Sequence, residues 1–276
     1  MIRILDENIN KIETINLTKH TLPVVISMPH SGIYFSENMQ KDILENVIFS
    51  NMDWYLPQFY DFLKEMDFTI IKNNISRYVI DPNRAITQKN IDGKYSDNLI
   101  YTKTTFGKEI YKIAPNSSEI ESRINDFYIS YHHVLEQAIN DKLKYFDKVY
   151  LIDLHSFGKD VSADIVLGND NGNATSNFFI QTMDKLLKEQ GFYVQNNVPY
   201  SGGYITRHYG NSINKCEALQ IELSYKAYID NREFLEEEFP NINEVLFKNT
   251  QKKMKTVFKN FINILNVKEI INWLKI

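Results

Sequence analysis

Two short apolar stretches, each running directly into a histidine, constrain this chain more than any other feature. Lys148-Val-Tyr-Leu-Ile-Asp-Leu-His-Ser-Phe-Gly158 contains a run from Val149 to Leu154 that is rich in β-branched and large apolar residues and bounded by Asp147 and Gly158. Such a run reads as a strand buried on both faces. Side chains two apart share a face of a strand, so Asp153 and His155 project the same way, with His155 where strand gives way to loop. Open α/β sheets bind ligands at that end. Leu22-Pro-Val-Val-Ile-Ser-Met28 repeats the pattern and runs into Pro29-His30-Ser31-Gly32. There Pro29 stops the ladder and Gly32 permits a tight turn. A lone histidine after a strand is ordinarily a loop residue or a satisfied core group, and an Asp beside it a helix cap. Its occurrence twice favours a shared role.

The remaining pattern alternates helix and strand. Helical spacing is expected over 38–47, 53–63, 119–144 and 174–190, the third opened by a capping box of Ser118 with Glu121. Strands are expected over 68–72, 75–84, 163–168, 191–195 and 216–225, loops over 86–115 and 200–210, and two amphipathic helices over 241–276. This rhythm predicts an α/β fold, with a mixed, mainly parallel central sheet and helices on both faces. At 276 residues, with 43% hydrophobic and 24% charged, the chain suits one α/β domain over 1–276.

Composition excludes several classes. A net charge of −4 argues against a nucleic-acid partner, because phosphate binding wants a basic field. The single cysteine, Cys216, excludes an intrachain disulfide and a cysteine-rich metal site, so a metal must be held by His and carboxylate. No apolar run approaches the ~18 residues of a membrane span, and the N-terminus lacks a signal peptide's apolar core, so a cytoplasmic protein with no membrane partner is expected.

Candidate chemistry is spread along the chain. Asp53 lies near a helical first turn, where a helix-capping role is the plain alternative. Arg77, Asn83 and Arg84 bracket an apolar piece and suit a carboxylate, which Arg grips with two parallel hydrogen bonds; two surface arginines would look the same. Arg207 lies in the Gly- and Tyr-rich loop. Glu222 interrupts an apolar strand, a costly place for a carboxylate unless it is paired or functional. His132 and His133 are roughly 100° apart on one helix, cannot easily share an ion, and read as structural. His30, Asp53 and His155 make a two-histidine, one-carboxylate set with Glu222 as a free carboxylate. These are the parts of a mononuclear zinc hydrolase: three ligands leave a position for water, and a nearby carboxylate takes its proton. Arginine offsets the developing oxyanion.

The sequence resembles the N-formylglutamate amidohydrolase family, a branch of the zinc carboxypeptidase-like and aspartoacylase-like hydrolases. The likeness rests on Pro29-His-Ser-Gly32, Asp53-Trp54, Ser76-Arg-Tyr-Val-Ile-Asp-Pro-Asn-Arg84, Asp153-Leu-His-Ser156, Gly202-Gly203 and Leu219-Gln-Ile-Glu222, in the family's order across 23–228. The resemblance implies one zinc ion on His30, Asp53 and His155, with Glu222 as general base and then proton donor to the leaving amine. It implies that Arg84 and Asn83 hold the substrate α-carboxylate and that Arg77 polarises the scissile carbonyl. Asp153 is expected to orient an imidazole through its other ring nitrogen. Arg207 is expected to contact a second anion. The wider group's His-x-x-Glu pattern is absent, since Ile33 occupies the third position after His30, and Asp53 takes the ligand role in its place. The implied partner is a small N-acyl amino acid, with N-formyl-L-glutamate the family's named substrate.

Three rivals stay open at this level. One is a metallocarboxypeptidase or deacylase acting on another N-acyl amino acid or a peptidoglycan fragment. Another is a non-catalytic binding protein that senses an amino acid through Arg77 and Arg84. A serine hydrolase is the third, although neither Ser31 nor Ser156 sits in a Gly-x-Ser-x-Gly elbow.

Overall fold

A computed structural model describes residues 3–4, 9–87, 95–211, 215–230 and 240–274. Its strands are β1 (Arg3–Ile4), β2 (Ile12–Ile15), β3 (Val24–Met28), β4 (Tyr34–Phe35), β5 (Thr69–Asn73), β6 (Val149–Phe157), β7 (Ile165–Gly168), β8 (Val194–Asn196) and β9 (Cys216–Ser224). The α-helices are α1 (Glu37–Asp42), α2 (Leu56–Phe59), α3 (Ser117–Arg123), α4 (Ile129–Lys142), α5 (Asn177–Glu189), α6 (Tyr204–Tyr209) and α7 (Glu244–Leu274). Seven strands form one sheet in the order β2-β5-β3-β6-β9-β7-β8, while β1 and β4 pair separately. The inner run β5-β3-β6-β9 is parallel; β2 and the β9–β7 pair are antiparallel, so the sheet is mixed as expected.

Alternation along the strands sorts the core into two layers. Val25, Leu151 and Ala218 face α4 and α6 together with Leu135, Ile139 and Ile205. Their neighbours Val24, Ile26, Tyr150, Ile152 and Leu219 face the opposite layer, where Phe179 of α5 and Phe258 and Phe261 of α7 pack. Both faces of β6 and β9 are therefore buried along their whole length, which is why both read as unbroken apolar runs.

Chain order creates the site. From β3 the chain crosses to β5 on one side, and it later returns to β6 on the other side of β3. The carboxyl ends of β3 and β6 thus flank a topological switch point, where a crevice opens. His30 follows β3 by two residues, and His155 lies near the end of β6.

Several local expectations are corrected. The strand expected over 75–84 is a run of turns, anchored by Gly32, where a Cβ would strike the Ile75 carbonyl. The helix over 119–144 is capped by Asn116, whose side chain accepts from Glu119 N–H, and it passes through a π-helical turn at Ile124–Tyr128. Residues 204–209 form α6 where a loop was expected, and the two C-terminal helices are the single α7. β6 continues through His155 to Phe157, because β9 pairs with it residue by residue as far as Ser224. Among the described residues no helix is long and apolar enough to cross a membrane.

Candidate active site

His30, Asp53 and His155, distant in sequence, converge at the switch point with all three side chains buried. His155 Nδ1 lies 3.1 Å from His30 Nδ1 and 3.2 Å from Asp53 Oδ2, and His30 Nδ1 lies 3.7 Å from that same oxygen. Asp53 reaches this point through unusual backbone. Asn51, Asp53 and Tyr55 adopt left-handed φ values of 56°, 51° and 59°. Such strain is tolerated where the surroundings over-determine it, and it concentrates at functional sites. Asp53 is therefore not the cap of α2, whose N-cap is Tyr55.

The opposite ring nitrogens are each held by a carboxylate. His30 Nε2 is 2.7 Å from Asp81 Oδ1, and His155 Nε2 is 2.9 Å from Asp153 Oδ2. Asp153 in turn accepts from Ser27 Oγ at 2.7 Å. Both Nε2 atoms therefore donate, both Nδ1 atoms present lone pairs inward, and the Asp53 carboxylate joins them. Three lone-pair groups aimed at one buried point fit a cation, and tetrahedral zinc with ~2.0–2.1 Å bonds needs ligand atoms about 3.3 Å apart. The electrostatics agree. Burial disfavours ionisation of Asp53, but the two histidines outweigh it and hold its pKa down to about 2. Burial likewise opposes charge on His155, but Asp153, Asp53 and Glu222 hold its pKa well above the usual imidazole range. Positive charge is favoured here, whether a proton or a metal ion carries it.

Around this point lies a cavity of about 670 Å³, lined by His30, Asp53, Arg77, Asn83, Arg84, His155 and Glu222 among others. Glu222 is paired in register with His155 across β6 and β9, so the two point the same way. Gln220 Nε2 donates to Glu222 Oε1 at 2.9 Å, while Gln220 Oε1 accepts the Gly203 N–H at 2.7 Å. Burial, with Asp53 nearby and only partly offset by His155, pushes Glu222 up to about 7.

Arg77 donates from Nη2 to Asp81 Oδ2 at 2.8 Å and from Nη1 to the Asn51 carbonyl at 3.3 Å, while the Tyr101 hydroxyl closes on the same Asp81 oxygen. Burial resists ionisation of Asp81, yet His30, Arg77 and Arg84 outweigh it and keep its carboxyl well below the usual range. Asp81 thus ties a histidine of the trio to the arginine beside it. Sequence reading passed over it because a strand over 75–84 would have pointed Arg77, Asp81 and Asn83 along one face in a spread row. The turns bring them together. Asn83 packs against Gly203, where a Cβ would collide with its amide, and its Nδ2 lies 3.1 Å from His155 Nε2. Arg84 lines the cavity with Nε free of any partner among the described residues.

Asp153 sits beneath the trio, fully buried, with its Oδ2 on His155 Nε2. Arg207 is not brought into the cavity: it is exposed on α6 and its guanidinium turns back onto the Gly202 carbonyl. Tyr95, Lys159, Tyr200 and Gln220 line the cavity with no signal in the sequence beyond their neighbourhood.

Known proteins resemble this chain in sequence and fold. An N-formylglutamate deformylase of Pseudomonas putida is 29% identical over 224 residues, covering 77% of this chain and 84% of the relative. A deformylase of the same name from Pseudomonas aeruginosa is 26% identical over 230 residues, covering 79% and 86%. The crystal structure of N-formylglutamate amidohydrolase from Ralstonia eutropha JMP134 superposes with a TM-score of 0.82 at 21% identity, over 94% of this chain and 100% of that one. The family model for N-formylglutamate amidohydrolase matches residues 22–229, a span holding all three convergent side chains, Asp81 and Glu222. The chain belongs to the N-formylglutamate amidohydrolase family and is an amidohydrolase.

Proposed function

We propose that this protein hydrolyses N-formyl-L-glutamate to formate and L-glutamate, with one zinc ion held by His30, Asp53 and His155. The observation that carries this reading is the convergence of those three side chains, at 3.1–3.7 Å, beside Glu222 and two arginines in one cavity. The names of the two Pseudomonas relatives support the substrate. Bound at this point, zinc would supply Lewis acidity, lowering the pKa of water to about 7 and polarising a carbonyl oxygen.

The chain's own residues do the rest. Arg84 and Asn83 receive the α-carboxylate and fix the formyl carbon over the trio. The Glu222 carboxylate takes a proton from the attacking water and passes it to the departing amine nitrogen, so that water adds across the C–N bond. Its buried setting places its proton affinity near neutrality, where such a group both accepts and donates. Arg77 faces the carbonyl oxygen as it gains negative charge, and Asp81 keeps that guanidinium in place. Phe157 and Tyr200, with ring centroids 5.4 Å apart, form an aromatic part of the cavity wall.

The test is metal content of the purified protein by elemental analysis, paired with formate release from N-formyl-L-glutamate before and after chelation. Near one zinc per chain with chelator-sensitive release is expected. Zinc without formate release would discard the substrate, and formate release that chelation leaves intact would discard the metal.

A further inference from the structure

The segment that carries Asn83 and Arg84 is bolted from behind by two helices. From the π-helical turn that leads into α4, the Tyr128 hydroxyl donates to the Arg84 carbonyl at 2.9 Å. One turn later on the same face, His132 Nε2 meets the Pro82 carbonyl at 2.9 Å. From α6, Ile205 N–H donates to Asn83 Oδ1 at 2.8 Å and Tyr204 N–H to the Asn83 carbonyl at 3.3 Å. A carbonyl only accepts, so His132 Nε2 carries the ring proton. In the neutral ring Nδ1 is then the acceptor, and the Tyr209 hydroxyl, 2.8 Å away, donates to it. Burial pushes the His132 pKa down to about 4, which keeps that tautomer at neutral pH. The Tyr209 ring stacks on the imidazole at 5.8 Å and 18°, so α6 fixes the orientation of the histidine on α4.

We infer that His132, oriented by Tyr209, is a positioning residue that aims Asn83 and Arg84 at the α-carboxylate of an amino-acid substrate. This role rests on the carboxylate contact proposed above. His132 touches neither the cavity nor the three convergent ligands. It acts through the backbone of Pro82, whose placement sets where Asn83 and Arg84 meet the carboxylate.

The experiment compares wild type with His132→Phe, His132→Gln and Tyr209→Phe, using Arg84→Ala as the benchmark for a lost carboxylate contact. Binding of L-glutamate and of its α-amide is measured by calorimetry on the full chain, with thermal unfolding as a control for folding. His132→Phe is expected to weaken L-glutamate about tenfold, the loss of one hydrogen bond, and to leave the α-amide unchanged. Gln, which puts an amide nitrogen near the position of Nε2, is expected to restore most of the affinity. In formate release, KM should rise with kcat within about twofold.

A folded His132→Phe with wild-type affinity, equal weakening for the α-amide, or no rescue by Gln would overturn the inference. Should the Phe variant fail to fold, Tyr209→Phe decides on the same readouts, with a smaller loss expected in the same direction. If wild type binds L-glutamate but releases no formate from N-formyl-L-glutamate, the substrate falls and the binding comparison still decides the role of His132. If wild type binds no α-carboxylate at all, both readings fall.

Discussion

His155 and Glu222 lie side by side, in register on the parallel strands β6 and β9, with their side chains on one face of the sheet. One is held in the convergent trio by Asp153 and Asp53, and the other is braced by Gln220. Glu222→Gln keeps the size of the side chain and the oxygen that Gln220 donates to, but removes the proton acceptor. Metal content is expected to stay at the wild-type level while kcat falls about 10²–10⁴-fold. Elemental analysis with formate release checks this, and retained turnover would remove Glu222 from the mechanism.

Asp81 and Asp153 each grip a trio histidine by its Nε2, but only Asp81 also holds Arg77 and Tyr101. Both Asp→Asn variants should lose about 10–100-fold in metal affinity. With zinc restored to saturation, Asp153→Asn should recover its turnover and Asp81→Asn should not. A chelator-competition titration followed by turnover at saturating zinc separates the two. Equal recovery would mean that Asp81 does not act through Arg77.

Arg84 offers the cavity a guanidinium whose Nε lacks a partner among the described residues. Arg84→Ala is expected to raise KM for N-formyl-L-glutamate about 10–100-fold, the loss of a charge-assisted hydrogen bond. The matching α-amide substrate should lose little. An equal loss on both substrates would refute a carboxylate contact.

Glu217 is a buried carboxylate away from the site. Its oxygens meet Lys148, Thr175 Oγ1 at 2.9 Å and Ser176 Oγ at 2.6 Å, at the start of α5. Burial opposes its ionisation, and these partners outweigh burial, so its folded pKa lies below the ordinary 4.5. The unfolded chain therefore binds the proton more readily, and the stabilisation is present above pH 4.5 and lost as pH falls through the folded value. Glu217→Gln should lower unfolding stability at pH 7 by about 1–3 kcal/mol and flatten its decline below pH 4.5. Urea unfolding across pH 3–7 measures both, and a mutant curve parallel to wild type would contradict the ion-pair account.

Much of this protein was determined by local sequence. The apolar runs of β3, β6 and β9 and the 3.6-residue spacing of α5 report burial that each segment needs wherever it packs. The two histidines were legible from the same runs, because each follows directly on an apolar stretch that the sheet buries on both faces. His30, Asp53, His155, Arg77, Asn83, Arg84 and Glu222 were therefore recognisable as candidates before any fold was known.

Tertiary structure alone decided how they meet. That Asp53 joins the histidines depends on left-handed backbone at positions 51, 53 and 55, which helical periodicity does not reveal. That Asp81 bridges His30 and Arg77 depends on 75–84 folding as turns against Gly32, although its composition favours a strand. Arg207, an equally attractive cation in sequence, lies outside the cavity because α6 forms where a loop was expected. The length of β6 was set by β9, whose paired residues lie 67 positions later in the chain. Propensity and periodicity act over a few residues, whereas strand order and the shared position of strand ends are fixed by contacts between distant segments.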